Sequence, residues 1–177
     1  MSTATLDGAD AFILSHETSI GQHPIDATIN LAKGIAEAEA IFDFEQAHIN
    51  NREDLKESGK YAKNIDVLTN TACSMAFEKD SDVDIILCFT ETGKIARYLS
   101  KQRTKQPILA CSTNSNTVRQ ANSFRGVVGY KIPQHVEHKN EEVLDLILKL
   151  LNDQGLSNLP YTKVMIFNGE HENDVLK

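Results

Sequence analysis

The sequence predicts an α/β fold: an open, mostly parallel sheet with helices on both faces, preceded by one strand and one long helix belonging to a different unit. Three observations lead there. From residue 66 onward, apolar runs of strand length alternate with stretches of helical periodicity. The connections between them are short, and such alternation makes parallel strands joined by right-handed crossovers. The first 46 residues hold only a single strand-like run and a single long apolar-striped stretch, set off by a polar segment.

In chain order, Ala9–Leu14 is an apolar run between Asp7-Gly8 and the polar stretch Ser15–His23, and it reads as a buried strand. Pro24 opens a helix in which Ile25, Ile29, Ala32 and Ala36 recur at helical spacing, with Leu31, Ile35 and Phe42 on the adjoining stripe; it is expected to reach about Gln46. From His48 to Lys63 the chain is polar and charged, with Gly59 and no sustained period, so it reads as a linker or a surface helix. The expected organisation is therefore 1–47, linker 48–63, and an α/β domain over 64–177. Within that domain the pattern predicts helix Asp66–Lys79, strand Asp84–Phe89, helix Gly93–Gln102, strand Pro107–Cys111, helix Asn116–Phe124, strand Gly126–Tyr130, helix Asn140–Asn152 and strand Lys163–Phe167. The stretch Glu142–Leu151 is apolar apart from Glu142 itself, Asp145 and Lys149, so its helix is expected to be covered on more than one side.

Composition narrows the function classes. A net charge of −7 argues against grip on nucleic acid or an anionic membrane, which needs clustered Lys and Arg; the run Lys101 to Lys105 reads as a solvated helix end. No run approaches the roughly 18–20 apolar residues of a membrane span, and MSTATLDGAD has no signal-peptide core, so membrane insertion is not expected and a cytoplasmic location is. Cys73, Cys88 and Cys111 sit in apolar patterns without metal-ligand spacing and read as buried, reduced thiols.

In sheets of this class, ligands bind beyond the carboxyl ends of the strands, which directs attention to Thr90–Lys94, Ser112–Asn116 and Asn168–Asp174. Ser15, His16 and Glu17 are consecutive, and neighbouring residues rarely converge on one reacting atom, so they read as a loop and not a nucleophilic triad. His135, Glu137, His138 and Glu141 lack a fourth ligand at recognisable spacing and read as a solvated turn, with no metal expected.

Two blocks carry more than periodicity. Leu6-Asp7-Gly8-Ala9-Asp10, then Leu14-Ser15-His16-Glu17-Thr18, Gly21 and Pro24, resemble the last strand, loop and helix of the pyruvate kinase barrel. Ile108-Leu109-Ala110, Asn114, Thr117, Arg119-Gln120-Ala121 and Phe124-Arg125-Gly126 resemble the middle of that family's carboxy-terminal domain. Thr90, Thr92 and Gly93 fall where the family has its phosphate-binding loop. The resemblance implies transfer of a phosphoryl group from phosphoenolpyruvate to ADP by a lysine, magnesium-holding carboxylates and arginines on earlier barrel strands, none of which these 177 residues contain. It therefore implies no catalytic residue and no cofactor in this chain, with Mg²⁺ and K⁺ entering only with a barrel partner.

What the resemblance leaves is a barrel-loop remnant, Ser15, Glu17 and Thr18, and an effector loop, Thr90, Thr92, Gly93 and Lys94. His16 stands where the family has Gly, and Ile20 where many members have Lys. Glu91 and the acidic tail Gly169–Asp174 oppose an anion at the effector loop: a carboxylate about 6 Å from a phosphate charge costs roughly 3 kcal/mol at an effective dielectric of about 20. The loop thus reads either as a helix cap or as an effector site. The barrel strand, parted from the neighbours it has in the family, is expected to need a protein partner covering residues 9–14 and their helix, or a second copy of the chain. The Met1 start and the absent active site favour a non-catalytic binding or scaffold subunit. The rivals are a piece of a longer or split active pyruvate kinase and a sensor of phosphate metabolites.

Overall fold

The structure, a computed structural model, describes residues 1–58, 64–78, 81, 83–133, 145, 149 and 163–168. Its helices are α1 (Ser2–Leu6), α2 (His16–Ser19), α3 (Pro24–Ala40), α4 (Phe44–Ser58), α5 (Asn64–Phe77), α6 (Lys94–Lys101) and α7 (Ser115–Ala121). Its strands are β1 (Val83–Phe89), β2 (Ile108–Ser112), β3 (Val127–Lys131) and β4 (Lys163–Asn168). All four pair in parallel, in the order β3-β2-β1-β4.

A parallel sheet must hide both faces, and the side chains of β1 divide accordingly. Ile86 and Cys88 join Ile108, Ala110 and Val127 on one face, where Cys73 and Ala76 of α5, Ile95, Ala96 and Leu99 of α6 and Ala121 of α7 pack. Ile85, Leu87 and Phe89 join Leu109, Cys111 and Ile132 on the other, and these are buried as well. On the first face α7 approaches β3 so closely that a Cβ on Gly129 would sit 2.1 Å from the Val118 carbonyl oxygen. The Gly129 N–H donates to Asn122 Oδ1 at 2.8 Å, closing the same turn.

The strands and helices of the α/β unit that lie within the described residues fall within two residues of expectation, a normal disagreement at element ends, except that α7 stops at Ala121, three residues before the expected Phe124. The helix expected at Asn140–Asn152 lies outside the described residues except for Asp145 and Lys149, both helical and exposed. Two expectations for the first unit are corrected. No strand forms at Ala9–Leu14, because among the described residues no neighbouring strand pairs with it to share the backbone ladder that defines one. The long helix from Pro24 stops at Ala40, and α4 starts afresh at Phe44. Asp43 Oδ1 accepts the Gln46 N–H at 2.9 Å, capping α4, while Phe42 and Phe44 meet edge to face at 4.8 Å across the bend. The polar stretch after His48 is helical through Ser58.

Two arginines of the α/β unit fasten the first forty-odd residues to it. Arg125 pairs with Glu39 at 3.2 Å and lays its guanidinium over Phe42 and Phe44, 4.7 and 5.3 Å from the ring centres. Arg103, just past α6, pairs with Asp10 at 3.0 Å and also donates to the Gly8 carbonyl. It does so from a backbone φ of +55°, the one positive φ among described residues other than glycine. Among the described residues no helix is long and apolar enough to cross a membrane.

Gly129→Ala is expected to lower stability by about 2–3 kcal/mol, since the new methyl meets backbone and not a flexible side chain. Urea unfolding of the two proteins measures it.

Candidate functional site

The strand order reverses at β1: the chain leaves it through α6 toward β2 on one side, while β4 lies on the other. The crevice beyond the carboxyl ends of strands flanking such a reversal is where a ligand has room. Its near wall is the turn from Thr90 to Lys94, and the turn is built by its own hydrogen bonds. Thr90 is buried, its N–H donates to the Cys111 carbonyl at 3.0 Å, and its Oγ1 accepts the Gly93 N–H at 2.9 Å. Gly93 takes φ +80°, which suits a residue without a Cβ, and its carbonyl accepts the Arg97 N–H at 3.0 Å to start α6. The Glu91 carbonyl accepts the Thr117 hydroxyl at 2.6 Å, tying the turn to α7.

The four residues expected at this loop are thus brought together at the head of α6. The Gly93 N–H, the backbone donor best placed for an anion, is directed to Thr90. Thr92 and Glu91 are exposed and Lys94 is half-buried. The neighbouring loop is capped in the same manner: Asn114 Oδ1 accepts the Asn116 N–H at 2.9 Å and Ser112 Oγ accepts the Asn114 N–H at 3.1 Å. Beyond Asn168 the third expected loop, Asn168–Asp174, lies outside the described residues, as do His135, Glu137, His138 and Glu141.

Ser15, Glu17 and Thr18 lie together at the exposed start of α2. Glu17 Oε2 accepts the Ser15 N–H at 3.1 Å, and the Thr18 hydroxyl donates to the Ser15 carbonyl at 3.2 Å. These bonds turn the polar atoms back on their own backbone. His16, in the family's glycine position, is the first residue of α2 and has no positive φ, so it introduces no backbone strain. Among the described residues no three His, Cys, Asp or Glu side chains are gathered to hold a metal. The cysteines are free and buried; burial pushes the thiols of Cys73 and Cys111 up to about 12 and that of Cys88 higher still. None is poised as a nucleophile.

One feature lay beyond sequence reasoning because distant segments contribute to it. An open cleft of about 820 Å³ runs along the seam, lined by Asp10, Asn51, Asp66, Arg97, Lys101 and Arg103 among others. Lys101 pairs there with Asp66 and Arg103 with Asp10, each at 3.0 Å, so most of its charge is already matched. On the first unit, in the segment for which the sequence leads one to expect a covering partner, Ile13, Ile20 and Ile25 are 93%, 78% and 73% exposed, and Ile29 is exposed as well.

Residues 66–175 match the family described as pyruvate kinase, alpha/beta domain. The pyruvate kinase of Eimeria tenella is 32% identical over 133 residues, which cover 75% of this chain and 24% of that protein. Pyruvate kinase 2, cytosolic, of Oryza sativa subsp. indica is 26% identical over 169 residues, covering 88% of this chain and 31% of its own. A crystal structure of a pyruvate kinase from Cryptosporidium parvum superposes with a TM-score of 0.80 at 28% identity, covering 95% of this chain and 33% of that one. The chain spans about a quarter to a third of the length of these relatives.

Thr90→Val, which keeps the side chain's shape and removes the acceptor for Gly93, is expected to cost about 1–2 kcal/mol. The loss is read from the urea midpoint at an unchanged slope.

Proposed function

The chain belongs to the pyruvate kinase family, and from that premise we propose that it works as a non-catalytic binding subunit, docking through residues 9–29 onto another polypeptide surface. The observation that carries this reading is the exposure of four isoleucines within this segment, Ile13, Ile20, Ile25 and Ile29. Apolar surface of this kind on a folded protein is a contact surface or an aggregation hazard. The α/β unit buries the centre of its sheet on both faces, while Val128 and Ile166 of its outer strands are 42% and 45% exposed, well short of Ile13. The occupant that fits is the part of a (β/α)₈ barrel that flanks this segment in the family, an apolar wall of strand and helix.

Phosphoryl transfer rests on positioned charge, and the barrel-loop groups in this chain, Ser15, Glu17 and Thr18, are hydrogen-bonded within their own turn. Catalysis, with the Mg²⁺ and K⁺ it uses in this family, therefore belongs in this reading to other sequence. The turn at Thr90, Thr92, Gly93 and Lys94 serves as a cap for α6 and not as a metabolite sensor, since Thr90 takes the Gly93 N–H. The rice relative is named cytosolic, and the same compartment suits three free, buried thiols here.

A second reading is that docking completes an active pyruvate kinase. The likeness favours it, because the superposition covers 95% of the chain and so includes the barrel end as well as the α/β domain.

Light scattering after size exclusion, on protein purified from its native source, is expected to show the chain in a stable assembly. Placing Ile13→Asp and Ile25→Asp in one chain is expected to dissolve that assembly, weakening it at least tenfold, while the circular dichroism of the α/β unit persists. A wild-type chain that runs alone as a monomer overturns the docking proposal. Formation of ATP from phosphoenolpyruvate and ADP by the assembly selects the second reading, and its absence the first.

A further inference from the structure

His48 sits on the inner side of α4, 6% exposed, in the helix that carries the chain from the barrel-end segment toward the α/β unit. Its ring stacks on Phe77 of α5, centre to centre 4.8 Å and inclined by 26°. Its Nε2 lies 2.9 Å from Ser74 Oγ. The single hydroxyl proton of Ser74 goes to the Asn70 carbonyl at 2.9 Å, so the Ser74 oxygen accepts and the proton between Ser74 and His48 resides on Nε2. Nδ1 is then a bare acceptor nitrogen, buried and without a hydrogen-bond partner.

A neutral ring tolerates that position. A second N–H at Nδ1, with a full positive charge, would be desolvated with no acceptor to receive it. The charged group that acts on the ring is Arg52, one turn further along α4 and of the same sign. On α5 the ring faces Ser74 and Phe77. Among the described residues, the titratable groups of α5 and its end are Asp66, paired with Lys101, Cys73, turned into the sheet core, and the exposed Glu78. Among the described residues, none of these forms an ion pair with the imidazole.

We propose that His48 is a proton-operated latch between α4 and α5: a proton taken up at Nδ1 releases α4 from α5, while Arg103 and Arg125 keep the barrel-end segment on the α/β unit. Burial, reinforced by Arg52, holds the folded-state pKa of His48 below its ordinary 6.5. The unfolded or detached helix therefore binds the proton more readily than the docked one. The docking contribution is fully present above about pH 6.5 and is lost as pH falls from there through the lowered folded value. Elsewhere on α4, Asn51 Nδ2 donates to the Lys101 carbonyl at 3.0 Å, an exposed hydrogen bond that does not depend on the protonation of His48.

The test is hydrogen exchange of the full chain at about pH 7.5 and about pH 5.5, corrected for intrinsic rates, a range that brackets ordinary histidine titration. Protection of peptides from 44–58 is expected to fall on acidification by up to about tenfold per unit of pKa lowering, while peptides from β1 and β2 hold theirs. His48→Gln, whose amide still donates to Ser74 but cannot titrate, is expected to abolish the difference. Equal protection of α4 at both pH values, or a His48→Gln protein as pH-sensitive as wild type, overturns the latch. Imidazole nitrogen NMR of the wild-type chain tests it without any substitution: a proton on Nε2 at neutral pH and a midpoint below 6.5 are expected, and a proton on Nδ1 or a midpoint above 6.5 refutes it.

Discussion

The guanidinium of Arg125 is where the two units become one. It leaves the loop between α7 and β3, pairs with Glu39 at the end of α3, and covers the two phenylalanines of the α3–α4 bend. Its own carbonyl receives the Ser100 hydroxyl at 2.7 Å and its N–H reaches Asp10. A planar cation that cannot lose its charge suits this position: one edge meets a carboxylate while the face lies on aromatic carbon, so its desolvation is offset on both counts. The bend, and through it the direction in which α4 leaves, is set by that contact.

How much of this was legible in the sequence follows from which forces are local. The strands β1, β2 and β3 and the helices between them announce themselves because a parallel sheet buried on both faces leaves nearly continuous apolar runs. Ala9–Leu14 carries the same composition, but a strand is a property of a pair, and composition alone does not supply the second member. The α3–α4 break escaped notice because apolar spacing runs straight through it to Phe42 and beyond. The signal was Asp43, a good capping residue inside what looked like a helix. At the loop of Thr90 and Gly93 the positions were legible and the direction of the hydrogen bond was not: spacing places a hydroxyl beside an N–H without saying that the one satisfies the other. The seam cleft and the His48 cluster draw on segments tens of residues apart, beyond the reach of any short pattern.

The molecule is uneven in what it completes by itself. The centre of the sheet is buried, its capped loops are satisfied by their own side chains, and its cysteines are sealed. The barrel-end segment is less complete, with Ile13, Ile20 and Ile25 largely exposed and no strand formed at Ala9–Leu14. Both belong to a family whose relatives are several times longer, and it is in that setting that docking through residues 9–29 is proposed.

Arg103 gives this economy a different edge. A residue following a helix in the left-handed region is most comfortably glycine, and holding a side chain there costs on the order of 1 kcal/mol. In the whole chain that cost is set against a grip on Asp10 and the Gly8 carbonyl. Cut the barrel-end segment away and the grip vanishes while the strain stays. Mutational selection for stability would therefore favour glycine at this position in the α/β unit on its own, and arginine in the full chain. The identity of residue 103 across natural sequences becomes a record of whether the two units have travelled together.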